Sequence, residues 1–163
     1  MRKLPRFPEC FICGRENSAG TDVTFIATDD GVKCDYTAQE KHQSYKGILH
    51  GGVISALLDE CMGWSVSIQE KKMFVTGELK VKYIRPVPVG KKITVKSTYG
   101  SSQDLDSDFR FSEGRVEDTE GTLFAIAEGK FHPVHKDFEV PIFAMLEKNN
   151  DPVCRVTPDD VWG

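Results

Sequence analysis

No run of apolar residues in this sequence approaches the ~20 that a membrane-spanning helix needs, so no transmembrane helix is expected. The opening Met1-Arg2-Lys3 leads into Pro5 and Pro8 rather than into an apolar signal core, which points to a cytoplasmic protein without membrane partners. An excess of one charge is missing as well. The 21 lysines and arginines stand against 25 aspartates and glutamates, a net charge of -4. Phosphate-backbone binding rests on clustered cations, so nucleic acid is not the expected partner. A disulfide framework is not expected either. The five cysteines (Cys10, Cys13, Cys34, Cys61, Cys154) are odd in number, and Cys61 lies in an apolar segment where a small buried thiol is the ordinary finding. Internal repeats and low-complexity stretches are also lacking.

What remains is a chain of 163 residues, 39% hydrophobic and 28% charged, enough for one globular domain with a full core. Its most informative stretch is Leu49-His50-Gly51-Gly52-Val53-Ile54-Ser55-Ala56-Leu57-Leu58-Asp59-Glu60. Two glycines open an apolar segment that carries a carboxylate two turns in. Val53, Ile54, Leu57, Leu58, Cys61, Trp64 and Ile68 recur at a helical period, which predicts a helix from Gly52 to about Ile68 that is wrapped on most sides.

Around that helix the pattern is that of a sheet. Asp22 to Thr28 and Gly31 to Ala38 read as a hairpin, with Asp29-Asp30-Gly31 supplying a positive φ at the turn. Four β-rich runs follow the helix: Met73 to Ile84, Lys92 to Tyr99, Phe109 to Glu117 and Thr122 to His132. In the first of them Leu79, Val81 and Tyr83 fall on one face and Glu78, Lys80 and Lys82 on the other, the alternation of a half-buried strand. Short connections imply antiparallel neighbours, and a helix apolar nearly all round is best satisfied by a sheet curling about it. The expected organisation is an irregular leader over 1–20, a main domain over 21–135, and a short helix and tail over 136–163. That last helix is placed at Ile142 to Lys148, opened by Pro141, with a loose tail over the final dozen residues.

The combination of His50-Gly51-Gly52, Leu58-Asp59 and Val81-Lys82-Tyr83-Ile84-Arg85-Pro86-Val87-Pro88-Val89-Gly90 resembles the hotdog-fold acyl-CoA thioesterases of the PaaI type. Cys10-Phe11-Ile12-Cys13-Gly14 and Gln43-Ser44-Tyr45-Lys46-Gly47 resemble a bacterial subgroup of that superfamily, and the likeness covers about residues 10 to 133. It implies an α+β hotdog fold, a curved antiparallel β-sheet wrapped around a long central α-helix. It also implies a homodimer, or a dimer of dimers, with active sites at the subunit interface and no cofactor. Asp59 matches the catalytic carboxylate and Gly51 the residue whose backbone N–H polarises the thioester carbonyl. His50 matches the residue that shapes that turn, and Thr76 a hydroxyl that positions water. Gly52, Gln43, Ser44, Lys82 and Arg85 are the candidate substrate-binding residues. Related enzymes often carry Asn six residues before the HGG histidine, where this chain has Ser44 beside Gln43.

The chemistry can be read independently of any family. Thioester hydrolysis needs a donor for the developing oxyanion, and the first N–H groups of a helix lack internal partners and sit at the positive end of its dipole. Asp59 would then act as general base for water or as a nucleophile. Gly51 and Asp59 are eight residues apart, about 12 Å along one helix at a rise of ~1.5 Å. One thioester can meet both only if a second, antiparallel helix contributes. The helix alone favours a solvated edge for Asp59-Glu60; the surrounding motifs reverse that preference. A hydratase or dehydratase would need His42 with a carboxylate, and a non-catalytic acyl-CoA binder would need only the cleft. Lys80, Lys82, Arg85, Lys91 and Lys92 are either a nucleotide-phosphate contact or a solvated strand face. Cys10-x-x-Cys13 with His132-x-x-His135 could make a tetrahedral zinc site, but one CxxC without a second is a weak signal. The expectation is no metal, with both cysteines dispensable.

Overall fold

The computed structural model describes residues 1–100, 109–148, 151–155 and 162. Its centre is α1, Gly51–Glu70, closed at its C-terminal end by Lys71 in the left-handed conformation, whose N–H bonds to the Ser67 carbonyl. Val53, Ile54, Leu57, Leu58, Cys61, Met62, Trp64 and Val66 are all buried. The breadth of the apolar face expected from the sequence is therefore real, and the helix is enclosed rather than laid on a surface.

Seven strands form the enclosing sheet: β1 Arg2–Lys3, β2 Ile26–Thr28, β3 Gly31–Thr37, β4 Phe74–Tyr83, β5 Lys92–Gly100, β6 Arg110–Glu117 and β7 Leu123–Pro133. Their order is β1-β2-β3-β5-β6-β7-β4, every pair antiparallel. Ile93 and Val95 of β5, Val116 of β6 and Ala125 and Phe131 of β7 are fully buried with Leu57, Leu58 and Met62 of the helix. Small inner-face residues let α1 sit close to the sheet. A Cβ at Gly114 would stand 2.8 Å from both the Leu58 and Met62 side chains.

Several expectations are corrected. The leader is not wholly irregular: Arg2 and Lys3 pair with Ala27 and Ile26 and so add a strand to the sheet. The first strand of the expected hairpin is shorter, Ile26–Thr28 rather than Asp22 to Thr28, because Asp22 takes a positive φ of 51° and turns the chain there. Thr28 pairs with Gly31, so Asp29 and Asp30 form the turn and Gly31 already belongs to β3. The C-terminal helix α2 runs over Lys136–Ala144, with Pro141 inside it rather than at its start. His135 caps it, Asp137 and Glu139 lie in its first turn where the dipole favours acids, and Glu139 Oε1 accepts the Met73 N–H at 3.1 Å. These contacts set the start of the helix six residues before Ile142. Of the final dozen residues expected as a loose tail, 152–155 lie in β9 Asp151–Arg155, which pairs with β8 Glu147–Lys148; residues 149–150, 156–161 and 163 and the Cys154 side chain lie outside the described residues. No helix among the described residues is long and apolar enough to cross a membrane.

Candidate active site

The mouth of α1 is built by local hydrogen bonding. His50 is the N-cap residue, and its Nδ1 accepts the Gly52 N–H at 2.8 Å. The His50 carbonyl takes the N–H groups of Val53 and Ile54. This leaves the Gly51 N–H without an acceptor among the described residues, at the positive end of a twenty-residue helix. His50 is thereby a shaping residue: its ring holds Gly52 and directs the preceding donor outward.

The proline-rich turn after β4 braces this mouth from below. Leu49 N–H donates to the Val87 carbonyl at 2.9 Å and Val89 N–H to the Gly47 carbonyl at 2.8 Å, and Val87 is fully buried. Two motifs far apart in sequence are thus one structural unit. Tyr83, at the end of β4, completes it. Its hydroxyl donates to the Gly51 carbonyl at 3.0 Å and also bonds Ser55 Oγ, and its ring lies 3.4 Å from where a Cβ of residue 51 would stand. Tyr83 and Ser55 were not singled out by sequence. The alternation that set Tyr83 on the face of Leu79 and Val81 was the available signal.

Further along the helix, Asp59 Oδ1 accepts a hydrogen bond from Thr76 Oγ1 at 2.7 Å. Simple alternation would place Thr76 with Glu78, Lys80 and Lys82, facing away from α1. A bulge reverses it. Thr76 pairs with Phe131 and Glu78 with Lys130, so Gly77 is an extra residue in β4, and the parity of the strand changes there. Thr76 then shares the inner side with buried Phe131 and reaches Asp59. Glycine at position 77 leaves room for the His132 ring, two atoms of which would lie 2.5 Å from a Cβ there.

Residues 46–100 match the family model described as the thioesterase superfamily. No curated protein sequence matches the chain. Among solved structures, a thioesterase superfamily protein is 25% identical with a TM-score of 0.68, over 77% of this chain and 60% of that one. The chain therefore spans less than two thirds of that protein's length. The Escherichia coli PaaI protein from the phenylacetic acid degradation operon is 17% identical with a TM-score of 0.62, over 74% of this chain and 87% of that one. A Streptococcus mutans protein solved with acetyl CoA bound is 20% identical with a TM-score of 0.60, over 69% of this chain and 88% of that one. The chain carries the hotdog fold that these structures share.

Other expected site residues take varied places in this hotdog domain. Gln43 Oε1 accepts the Gly47 N–H at 3.0 Å and Ser44 N–H donates to the Ile48 carbonyl at 2.9 Å, so both close the loop that leads into α1. Gly52 is exposed beside the free Gly51 donor. The five cations do not gather around one point. Lys80 sits 3.8 Å from Glu128, Lys91 2.7 Å from Asp118 and Lys92 3.1 Å from Asp35. Arg85 donates to the Leu123 carbonyl at 2.8 Å. Lys80 and Lys82 line a groove of about 660 Å³ with Lys33, Lys96 and Arg115, on the outer face of the sheet, away from α1.

His42 is a structural residue in this hotdog domain. It is 6% exposed, its Nε2 lies 2.7 Å from the Ala19 carbonyl and its Nδ1 2.6 Å from the Tyr36 hydroxyl. A carbonyl only accepts, so this network assigns the proton to Nε2 and leaves Nδ1 to accept from Tyr36. Both nitrogens are used, and none is left for proton transfer at a substrate carbon.

Cys10 and Cys13 meet Glu60 rather than a histidine. Cys10 Sγ is 3.2 Å from Glu60 Oε2. The hydrogen bond from Cys13 and the N–H groups of Cys13 and Ile12 lower the Cys10 thiol to about 5 against the opposing effect of burial, while the Cys13 thiol is raised by its bond to Cys10 and by burial. Burial pushes Glu60 up to about 8, and the neighbouring Cys10 adds to it. His132 instead packs edge-on to Phe109, ring centroids 4.7 Å apart, and His135 caps α2.

Proposed function

We propose that the protein hydrolyses an acyl-CoA thioester to the free acid and CoA. The observation that carries this reading is the pairing of an unengaged Gly51 N–H at a glycine-opened helix with a hydroxyl-supported carboxylate, Asp59, on the same helix. The donor stabilises the oxyanion that develops on the thioester carbonyl, a contribution of roughly 3 kcal/mol for one well-placed N–H. Asp59, oriented by Thr76, either takes a proton from water or attacks the carbonyl carbon itself.

The two groups lie too far apart on one helix, about 12 Å at ~1.5 Å per residue, so the reacting carbonyl sits between Gly51 of one copy and Asp59 of another. The end of the sheet supports this arrangement. β4 is ten residues long, stands last in the strand order, and exposes Val75 and Tyr83, 54% and 51%. A long edge strand offers its unpaired backbone groups to a second chain, and the two exposed apolar side chains add surface to bury. Acetyl CoA bound to the Streptococcus mutans protein supports CoA as the carrier. Arg85, two residues beyond Tyr83, is the cation we place nearest the nucleotide, followed by Lys82, three residues before it. We place the reaction in the cytoplasm.

The test is incubation with a panel of CoA thioesters while free thiol release is followed. Turnover of at least one acyl chain that is lost in Asp59→Ala is the expected result. Binding of every thioester without release would instead identify a non-catalytic acyl-CoA binder. If cations hold the nucleotide, KM for a CoA thioester will rise with salt more than KM for the matching pantetheine thioester.

A further inference from the structure

The leader carries a second group of reactive side chains that hydrolysis leaves unused. Ligand atoms of Cys10, Cys13 and Glu60 all lie within 4.8 Å of one another, although Glu60 is forty-seven residues beyond Cys13. The segment Cys10 to Gly14 is folded tightly around the first sulfur. The N–H groups of Ile12 and Cys13 point at Cys10 Sγ from 3.2 and 3.5 Å, and Gly14 N–H closes the turn on the Cys10 carbonyl at 2.9 Å. A Cβ at position 14 would stand 2.3 Å from the Pro8 carbonyl oxygen and 2.5 Å from the Cys10 nitrogen, so the turn demands glycine. Backbone donors converging on sulfur favour a thiolate over a thiol.

Glu60 supplies the independent observation. Its Oε2 faces Cys10, while its Oε1 is closed off from solvent and has no hydrogen-bond partner among the described residues. A buried carboxylate oxygen without a donor is rare and calls for a missing partner. A proton between Glu60 and Cys10 satisfies one oxygen only. A cation satisfies the carboxylate and both sulfurs together.

We propose that Cys10, Cys13 and Glu60 bind a thiophilic divalent cation of the zinc class, joining the leader to α1 at the residue after Asp59. Two sulfurs and one carboxylate oxygen suit this class, and three protein ligands leave a fourth position for water. Tetrahedral bonds of about 2.3 Å to sulfur and 2.0–2.2 Å to oxygen hold ligand atoms roughly 3.5–3.8 Å apart, within the span seen here. Binding requires deprotonated sulfurs, so thiol protons pass to solvent as the metal enters. The cysteines expected to be metal-free acquire a ligand that a search for histidines could not reveal: a glutamate in the middle of a helix.

The experiment uses the full chain, reduced, stripped with chelator and titrated with Co²⁺ and then Zn²⁺. The expected result is about one Co²⁺ per chain, with thiolate-to-cobalt charge-transfer absorption, ligand-field bands of tetrahedral intensity, displacement by Zn²⁺ and a rise in Tm on loading. Cys10→Ser and Cys13→Ser should each lower the thiolate absorption, and the double substitution should abolish it. Glu60→Gln should shift the ligand-field bands and weaken binding by ~10-fold or more, while His132→Ala with His135→Ala should change neither. Absence of Co²⁺ absorption and of zinc in the reduced wild-type chain would overturn the proposal whatever the variants do. So would a Glu60→Gln chain with unaltered bands and affinity, or isolation of the native chain with a Cys10–Cys13 disulfide that no reductant-free zinc prevents.

Discussion

Asp59 lies on a helix whose neighbours are almost all buried, and its oxygen is held by the Thr76 hydroxyl at 2.7 Å. A residue that only lined a solvated edge would need no such partner. Asp59→Ala is expected to lower kcat by ~100-fold or more with the far-UV spectrum unchanged, as for loss of an acid-base group; near-normal turnover would remove Asp59 from the chemistry. Thr76→Val keeps the shape and deletes the hydrogen bond, so kcat should fall by about tenfold, the equivalent of ~1.4 kcal/mol. The donor can be tested without touching any side chain. Gly51 is the first residue of α1, and His50 before it has φ -65° and ψ 132°, a conformation that tolerates a following proline. Proline at a first helical position deletes only an N–H that lacks an intrahelical partner. Gly51→Pro should therefore cost roughly 100-fold in kcat with little change in Tm, and equal kcat would show that another group polarises the carbonyl.

At the level of elements, the bulge in β4 is what brings strand and helix together. Gly77→Ala brings a Cβ to 2.5 Å from the His132 ring; with that ring held edge-on to Phe109, the strain passes to the bulge and displaces Thr76. Loss of activity is expected, together with partial recovery when His132→Ala is added, a coupling that a double-mutant cycle measures. Additive losses would mean that the contact is not what holds the bulge. The β6–β7 turn gives a pH signature. The Asp118 carboxyl is lowered from 3.8 to about 2, first by the bond from Lys91 and then by the N–H groups of Thr122 and Glu120. Between these values the unfolded chain holds more protons than the folded one, so stability rises with pH there. The contribution is complete above about pH 4 and lost as pH falls through about 2. The Tm difference between wild type and Asp118→Asn should accordingly narrow on acidification; a difference that does not change with pH would assign the effect to packing.

For the whole molecule, the consequence of an eight-residue spacing on a straight helix is a shared site. Mixing Asp59→Ala with Gly51→Pro chains, each inactive alone, should restore activity as subunits exchange, because one site of a mixed dimer keeps both an intact donor and an intact carboxylate. Light scattering that shows an active monomer at assay concentration would contradict this. Exchange without recovery would place both groups in one chain.

Much of this architecture was legible before any coordinates. The 3.6-residue period of Val53, Ile54, Leu57, Leu58, Cys61 and Trp64 is a local property, as is the alternation of the strands, and both appear where they were expected. The HGG segment and Asp59 were also visible, since helix starts and carboxylates on apolar faces leave marks in the sequence. Other features depend on contacts between distant segments. The bulge at Gly77 breaks the period of two that alternation assumes, Pro141 lies inside a helix because His135 and Met73 hold the first turn ahead of it, and Val87 supports Leu49 across the turn. Periodicity records which side of an element is apolar, but not which residue from another element will stand opposite. Cys10, Cys13 and Glu60 meet for that reason only in the folded chain.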